Sequence, residues 1–258
     1  MSSRPKSIVY CVGLAALQHE AIGFDATRRV VIPNGFDISR FQPGDHYRAA
    51  LRSQLDLPLD CCLVGIVGRY HPQKDYPNFL KAAKLLLEQK PDTHFIMIGR
   101  GVTADNPEAA ALISSLNLQN RVHLLGERQD VPQIISALDL FVSSSANEGF
   151  SNVVGEAMAS GVPCVATDAG ASAELLHSLC PVVPRGDPHS LAAAALSILT
   201  LSEDARRELG KKVRERIENG YSLERMLAQY ADLYRSCRSS TALEERADTP
   251  HIEAAQLP

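Results

Sequence analysis

Between residues 61 and 183 the chain keeps one rhythm: a short apolar run, a polar loop, then a segment with helical spacing. The runs at 61–67, 94–98, 122–125, 138–142, 163–166 and 181–183 have strand length and lack the in–out alternation of a half-exposed strand. Segments 76–89, 107–116, 151–161, 171–177 and 190–200, with another starting at 131, read as the intervening helices. Strands buried on both faces and separated by helices predict an α/β fold: one parallel sheet with helices on both faces. Ligands of such sheets bind beyond the carboxyl ends of the strands. The loops 68–75, 99–106, 126–130 and 143–151 are therefore expected to share one rim.

The loop after 138–142 is the most informative. It reads Ser143-Ser144-Ser145-Ala146-Asn147-Glu148-Gly149-Phe150-Ser151-Asn152 and leads into a helix ending at Gly161. Val154, Ala157, Met158 and Gly161 form a buried stripe on that helix, and Glu156 points away from it. First-turn amides of a helix are unpaired and partly positive, which suits a phosphate. Two carboxylates bracketing that end, Glu148 and Glu156, are placed to accept hydrogen bonds from hydroxyls, a combination that suggests a sugar nucleotide. Elsewhere on the rim, Arg69 and Lys74 supply a guanidinium fork and a movable point charge, both suited to a diphosphate. The competing reading is a solvated loop making weak surface ion pairs. Gly99-Arg100-Gly101-Val102-Thr103-Ala104 fits the dinucleotide fingerprint G-x-G-x-x-G/A, which raises a nicotinamide oxidoreductase as a rival class. That fingerprint needs the helix to open inside the motif, whereas Asn106-Pro107 starts it later, so these glycines are read as a close backbone approach to a ligand or a turn.

The bulk properties exclude several classes. With 258 residues, net charge −4 and no basic block, nucleic acid is not the expected partner. The six cysteines are scattered with no Cys-x-x-Cys, as for reduced thiols in a cytoplasmic protein. His71, His94, His123 and His177 lack metal-ligand spacing, and no apolar run approaches the roughly 20 residues that span a bilayer. Arg4 and Lys6 before the apolar stretch 8–17 loosely imitate a signal peptide, but Gln18-His19-Glu20 stands where a small-residue cleavage site belongs. The same stretch reads as a strand, 8–11, and a helix to about 22. Residues 37–58 read as a connection with one short helix near 47–54. The chain closes with helices at 203–219 and 222–237 and a mobile tail, 239–258.

Taken together, Val31-Ile32-Pro33-Asn34-Gly35-Phe36-Asp37, Gly68-Arg69 through Lys74-Asp75, Phe95 to Gly101, and Glu148 through Gly161-Val162-Pro163 resemble the nucleotide-sugar-binding half of a retaining GT-B, GT4-type glycosyltransferase. Glu148 and Glu156 match the family's Glu-x7-Glu signature, and the similarity spans about residues 8 to 237. The resemblance implies a Rossmann-like domain, half of a GT-B fold, that transfers a hexose with retention from a UDP-, GDP- or ADP-sugar without a metal or other cofactor. It implies catalytic roles for Glu148, Arg69 and Lys74: Glu148 on the donor sugar, the two cations on the leaving diphosphate. Glu156 is implied for the ribose, the amides of Gly149, Phe150, Ser151 and Asn152 for phosphate, and Gly99, Arg100 and Arg128 for the base.

The domain plan that follows is an acceptor-domain remnant (1–24), a linker and entry (25–60), the donor domain (61–220), a crossover helix (221–238) and the tail (239–258). The remnant and the crossover helix resemble pieces that pack on a preceding acceptor domain, so they are expected to expose apolar surface. A separate acceptor-domain chain, a glycan or lipid-linked acceptor, and peripheral membrane association of the complete enzyme are the implied partners. The alternative is a non-catalytic nucleotide-sugar-binding module or a truncated gene product.

Overall fold

The computed structural model describes residues 5–247, with side chains through residue 238. The chain divides into two units, one made of its two ends, up to Gly35 and from Glu224 onward, and one spanning Phe36–Leu223. In the first unit, β1 (Ile8–Tyr10) leads into α1 (Gly13–Ala21), and β1 pairs in parallel with β2 (Arg29–Val31). The stretch that imitates a signal peptide is thus a strand and a helix. Leu14, Leu17 and Ile22 of this segment are exposed, as are Leu227 and Tyr234 near the other end of the chain. The expected uncovered apolar surface is present on both pieces.

The second unit carries α2 (Asp45–Gln54), β3 (Cys62–Val67), α3 (Tyr76–Gln89), β4 (Thr93–Ile98), α4 (Pro107–Ser115), β5 (Val122–Leu124) and α5 (Val131–Ser136). It continues with β6 (Leu140–Ser143), α6 (Asn152–Ala159), β7 (Cys164–Thr167), α7 (Ser172–Leu176), β8 (Val182–Val183), α8 (Pro188–Leu199) and α9 (Glu203–Gly220). The six strands form one parallel sheet in the order β5-β4-β3-β6-β7-β8. All carboxyl ends therefore lie on one rim. Successive residues feed opposite faces: Leu63, Ile96, Ile98 and Phe141 join a core with Val154, Ala157 and Met158 of α6. Val64, Ile66, Phe95, Met97 and Val142 join another with Phe79 and Leu80 of α3 and Leu191 of α8. This is why the strand runs show no polar alternation.

Side chains of Asp75, Asn106, Asp187 and Ser202 cap α3, α4, α8 and α9. Asp130 makes no such bond to α5; its carboxylate is instead held by Arg128 at 2.6–2.7 Å. The helix α4 opens at Pro107, beyond the glycines of 99–104, so the dinucleotide fingerprint lacks the helix it needs.

Two parts of the expected plan change. Residues 25–60, expected as linker and entry, divide between the units: β2 belongs to the first, and α2 packs into the second through Leu51 and Arg52, both buried. The last helix, α10 (Leu223–Ala247), runs past residue 237, so 239–247 are helical. The rest of the expected tail, 248–258, lies outside the described residues.

Arg52 shows why α2 is fixed. Its guanidinium donates to Asp139 Oδ2 at 2.7 Å and to the carbonyl of Cys61 at 2.9 Å. Asp139 also accepts from Arg48 at 2.6 Å and from the backbone N–H of Leu63 at 2.8 Å. One buried carboxylate thereby joins α2 to the first residues of β3 and β6.

A second, partly buried polar chain crosses the sheet edge. Arg121 Nη1 lies 3.0 Å from His94 Nε2, and His94 Nδ1 lies 3.0 Å from His123 Nε2. A guanidinium only donates, so His94 accepts at Nε2 and donates from Nδ1. Burial, then the His123 and Arg121 charges, hold the His94 pKa down to about 4; burial lowers that of His123 as well. The unfolded chain then binds more protons than the folded one between about pH 6.5 and 4, so stability falls as pH drops through that window. A loss on the order of 2 kcal/mol is expected between pH 7 and 4.5, measured by urea unfolding, with most of that slope absent in His94→Gln. An unchanged slope in His94→Gln would contradict the assignment.

Candidate functional site

The carboxyl-end rim is closed by backbone contacts between loops. Tyr70 N–H donates to Arg100 O at 2.8 Å, Gly68 N–H to Ile98 O at 2.8 Å and Gly99 N–H to Gly126 O at 2.8 Å. Gly99 has φ of +147°, and a Cβ there would sit 1.9 Å from the carbonyl oxygen of Gly68. Only glycine allows this approach. The three loops enclose a cavity of about 330 Å³ lined by Arg69, Gly99, Arg100, Glu127 and Arg128. Arg69 and Arg100 are exposed. The guanidinium of Arg128 is engaged by Asp130, which lowers the Asp130 pKa, so Arg128 sits in the cavity wall with a fixed orientation.

Across the rim, Lys74 and Glu148 form a direct ion pair between partly buried side chains. Glu148 Oε1 also accepts from Ser145 Oγ at 2.9 Å. Ser144 Oγ donates to Lys74 O at 2.7 Å, Ala146 N–H to Gln73 O at 2.8 Å, and Thr167 Oγ1 to Ser145 O at 2.6 Å. The Lys74 turn and the Glu148 loop are thus stitched together. Ser144, Ser145 and Thr167 were not singled out from sequence, although three successive serines closing an otherwise apolar run were a readable signal.

The loop is held from below as well. Ala171 N–H donates to Gly149 O at 3.1 Å. Gly170, at φ +59°, passes so close that a Cβ would lie 2.4 Å from Gly149 O and 2.5 Å from Glu148 O. Gly170→Ala should shift the Glu148 loop, costing about 1–3 kcal/mol of stability. Thermal unfolding measures the effect; an unchanged melting temperature would show the contact to be unimportant. Phe150 contributes packing: its ring stacks on Phe36 at 6.0 Å between centroids and meets Tyr221 at 6.5 Å. Phe36 in turn fills the space left by Gly155, where a Cβ would sit 1.9 Å from the ring.

The start of α6 is chemically open. Ser151 occupies the cap position, is buried, and makes no capping bond; its hydroxyl has no partner among the described residues. No acidic side chain lies in the first turn, which begins at the exposed Asn152. Glu156, one turn on, is half-buried; burial raises its pKa and the Arg40 charge opposes that rise. A buried hydroxyl at a helix N-terminus thus follows, three residues on, the carboxylate that Lys74 pairs with. The structure joins Lys74 to Glu148 directly and gathers Arg69, Gly99, Arg100 and Arg128 into one cavity.

This fold is that of a glycosyltransferase half-domain of GT-B type. Residues 62–201 match the family of glycosyl transferases group 1, and the chain belongs to that family. It is 29% identical over 214 residues to an Escherichia coli UDP-Gal:alpha-D-GlcNAc-diphosphoundecaprenol alpha-1,3-galactosyltransferase, covering 81% of this chain and 54% of that protein. It is 37% identical over 149 residues to the Rhizobium meliloti lipopolysaccharide core biosynthesis mannosyltransferase LpsB, covering 57% of this chain and 42% of the relative. Among solved structures, Anabaena HepE in complex with UDP and glucose superposes with a TM-score of 0.81 at 26% identity, over 90% of this chain and 63% of that one. The chain spans about half the length of the curated relatives it matches. No helix among the described residues is long and apolar enough to cross a membrane.

Proposed function

We propose that these residues form the donor-binding half of a retaining, GT4-type hexosyltransferase whose other half is an acceptor domain. The observation that carries the reading is the open start of α6: an orphaned, buried Ser151 hydroxyl three residues after a Glu148 already paired with Lys74. The diphosphate of a nucleoside-diphosphate hexose takes the α6 amides, Ser151, Lys74 and Arg69. These donors stabilise the charge that develops on the leaving diphosphate, a task for fixed dipoles and cations in a shielded site, and the reading needs no metal or other cofactor. Lys74, once bound to phosphate, releases Glu148 to accept from the hexose hydroxyls. Glu156 accepts from the ribose, its raised pKa marking a carboxylate whose lost hydration the ribose hydroxyls replace. The cavity between Arg69, Gly99, Arg100 and Arg128 takes the base. The UDP and glucose bound by Anabaena HepE favour uridine over guanosine and adenosine.

The acceptor side rests on the exposed apolar faces of α1 and α10 and on the relatives' names, of which the E. coli galactosyltransferase specifies a diphosphoundecaprenol-linked sugar. A glycan or lipid-linked acceptor follows, with peripheral membrane association of the complete enzyme in the lipid-linked case. The test is hexose transfer from UDP-hexose to a polyprenyl-diphosphate glycan, with and without an added acceptor domain, and the anomeric configuration of the product read by NMR. Turnover only with the added domain and an axial-to-axial outcome are expected. An inverted product overturns retention, and UDP-hexose binding with no turnover in either mixture assigns the non-catalytic module instead.

A further inference from the structure

A second polar cavity, of about 270 Å³, lies within the same unit but beyond the amino ends of β6 and β7, on the rim opposite the donor loops. Five cationic side chains line it: Arg48, Arg206, Arg207, Lys211 and Arg214. Against them stand three carboxylates, Asp45, Asp139 and Glu203, so the lining is net positive. Asp139 is already committed, since Arg48 and Arg52 bind its two oxygens at 2.6 and 2.7 Å and Arg206 approaches at 3.6 Å. One buried carboxylate faces three guanidiniums, while Arg207 pairs with Glu203 at 2.9 Å and Lys211 with Glu208 at 3.6 Å. Arg214 is spent on structure, with its guanidinium on the carbonyls of Phe41, Ala159 and Ile38. Arg48, Arg206, Arg207 and Lys211 line the cavity and carry more N–H donors than these ion pairs use.

Two further features point to a ligand there. The starts of α2 and α9 border the cavity through Gly44, Asp45 and Glu203, adding helix amino-terminal partial charge. Independently, Ser136 lines it; the residue is 8% exposed and its hydroxyl has no partner among the described residues. A buried hydroxyl without a partner is costly unless something completes it.

We propose that this cavity is a second anion site, taking inorganic phosphate or the phosphomonoester of a small solute. Arginine forks with a lysine point charge match a phosphate dianion. The volume falls just below the usual range of small-ligand sites, so a sugar phosphate or glycerol phosphate fits better than a second nucleotide. Because it lies on the opposite rim, the site is independent of the donor reading, and a ligand there bridges α2, α5 and α9 at the base of the sheet.

The same headgroup chemistry occurs in phosphatidic acid, and the test separates the sources. Phosphate and glycerol 3-phosphate are titrated calorimetrically into the full chain in an Arg69→Gln/Lys74→Gln background, which silences the donor rim. Arg207→Gln/Lys211→Gln changes only exposed side chains, with 59% and 72% side-chain exposure, and should leave folding intact while weakening binding at least about 10-fold. Ser136→Ala should also weaken it. If the soluble phosphates fail but vesicles carrying phosphatidic acid capture the chain, and Arg207→Gln/Lys211→Gln abolishes capture, the site stands with a lipid source. No binding to either, or binding indifferent to Arg207→Gln/Lys211→Gln and Ser136→Ala, overturns the proposal.

Discussion

Arg69→Ala/Lys74→Ala is expected to weaken UDP binding by about two orders of magnitude or more while leaving the fold intact. Each charged hydrogen bond to phosphate contributes roughly 1.5–3 kcal/mol, and every 1.4 kcal/mol is tenfold. Neither residue supports the core: Arg69 is exposed, and Lys74 keeps a fifth of its side chain in solvent. The two contributions are not equal. Removing Lys74 also strips Glu148 of its counter-charge and leaves a carboxylate facing the incoming diphosphate, so Lys74→Ala should cost more than Arg69→Ala. Glu148→Gln should act in the opposite sense on UDP, which meets an unpaired lysine and binds as well or more tightly. The same variant should lose the extra affinity that the hexose confers on UDP-glucose. Calorimetry on the four variants decides; equal effects of Lys74→Ala and Glu148→Gln on UDP would show the ion pair to be structural only.

Asp139→Ala carries the largest expected cost in stability, about 3–5 kcal/mol. The replacement leaves Arg52, only 1% exposed, charged in the core without its carboxylate, and breaking a buried pair from one side costs that much. It also orphans the N–H of Leu63 at the start of β3 and frees Arg48 and Arg206 from their shared partner. For a unit of this size the melting temperature should fall by roughly 10 °C. Arg52→Met, which fills similar volume without charge, should cost less when combined with Asp139→Leu than either change alone, because a matched apolar pair restores packing. Thermal unfolding of the singles and the double forms the cycle, and additive losses would contradict the coupling.

These two sites show what the residue pattern did and did not disclose. The parallel sheet was legible because strands buried on both faces must be apolar throughout, and the 62–67, 93–98 and 164–167 elements follow that rule closely. The glutamate loop was legible because its chemistry is concentrated within a short stretch, from Ser143 to Glu156. What escaped were residues whose meaning is a contact distant in sequence. Asp139 interrupts an apolar run, and an acid there demands a buried cation, but nothing local says that it is Arg52 on a segment read as a connection. Gly170 looks like any loop glycine until the backbone of Glu148 and Gly149 is found against it. Ser136 becomes notable only when its hydroxyl is seen to be buried and alone.

The central claim, that the start of α6 with Lys74, Arg69 and the two glutamates holds a nucleoside-diphosphate hexose, is tested most directly by titrating sugar nucleotides into the full chain. UDP-glucose, UDP-galactose, GDP-mannose and ADP-glucose should include at least one that binds at a single site, more tightly than its own nucleoside diphosphate, with binding removed by Arg69→Ala/Lys74→Ala. A folded chain that binds none of them, or binds one equally well after that double change, would contradict it.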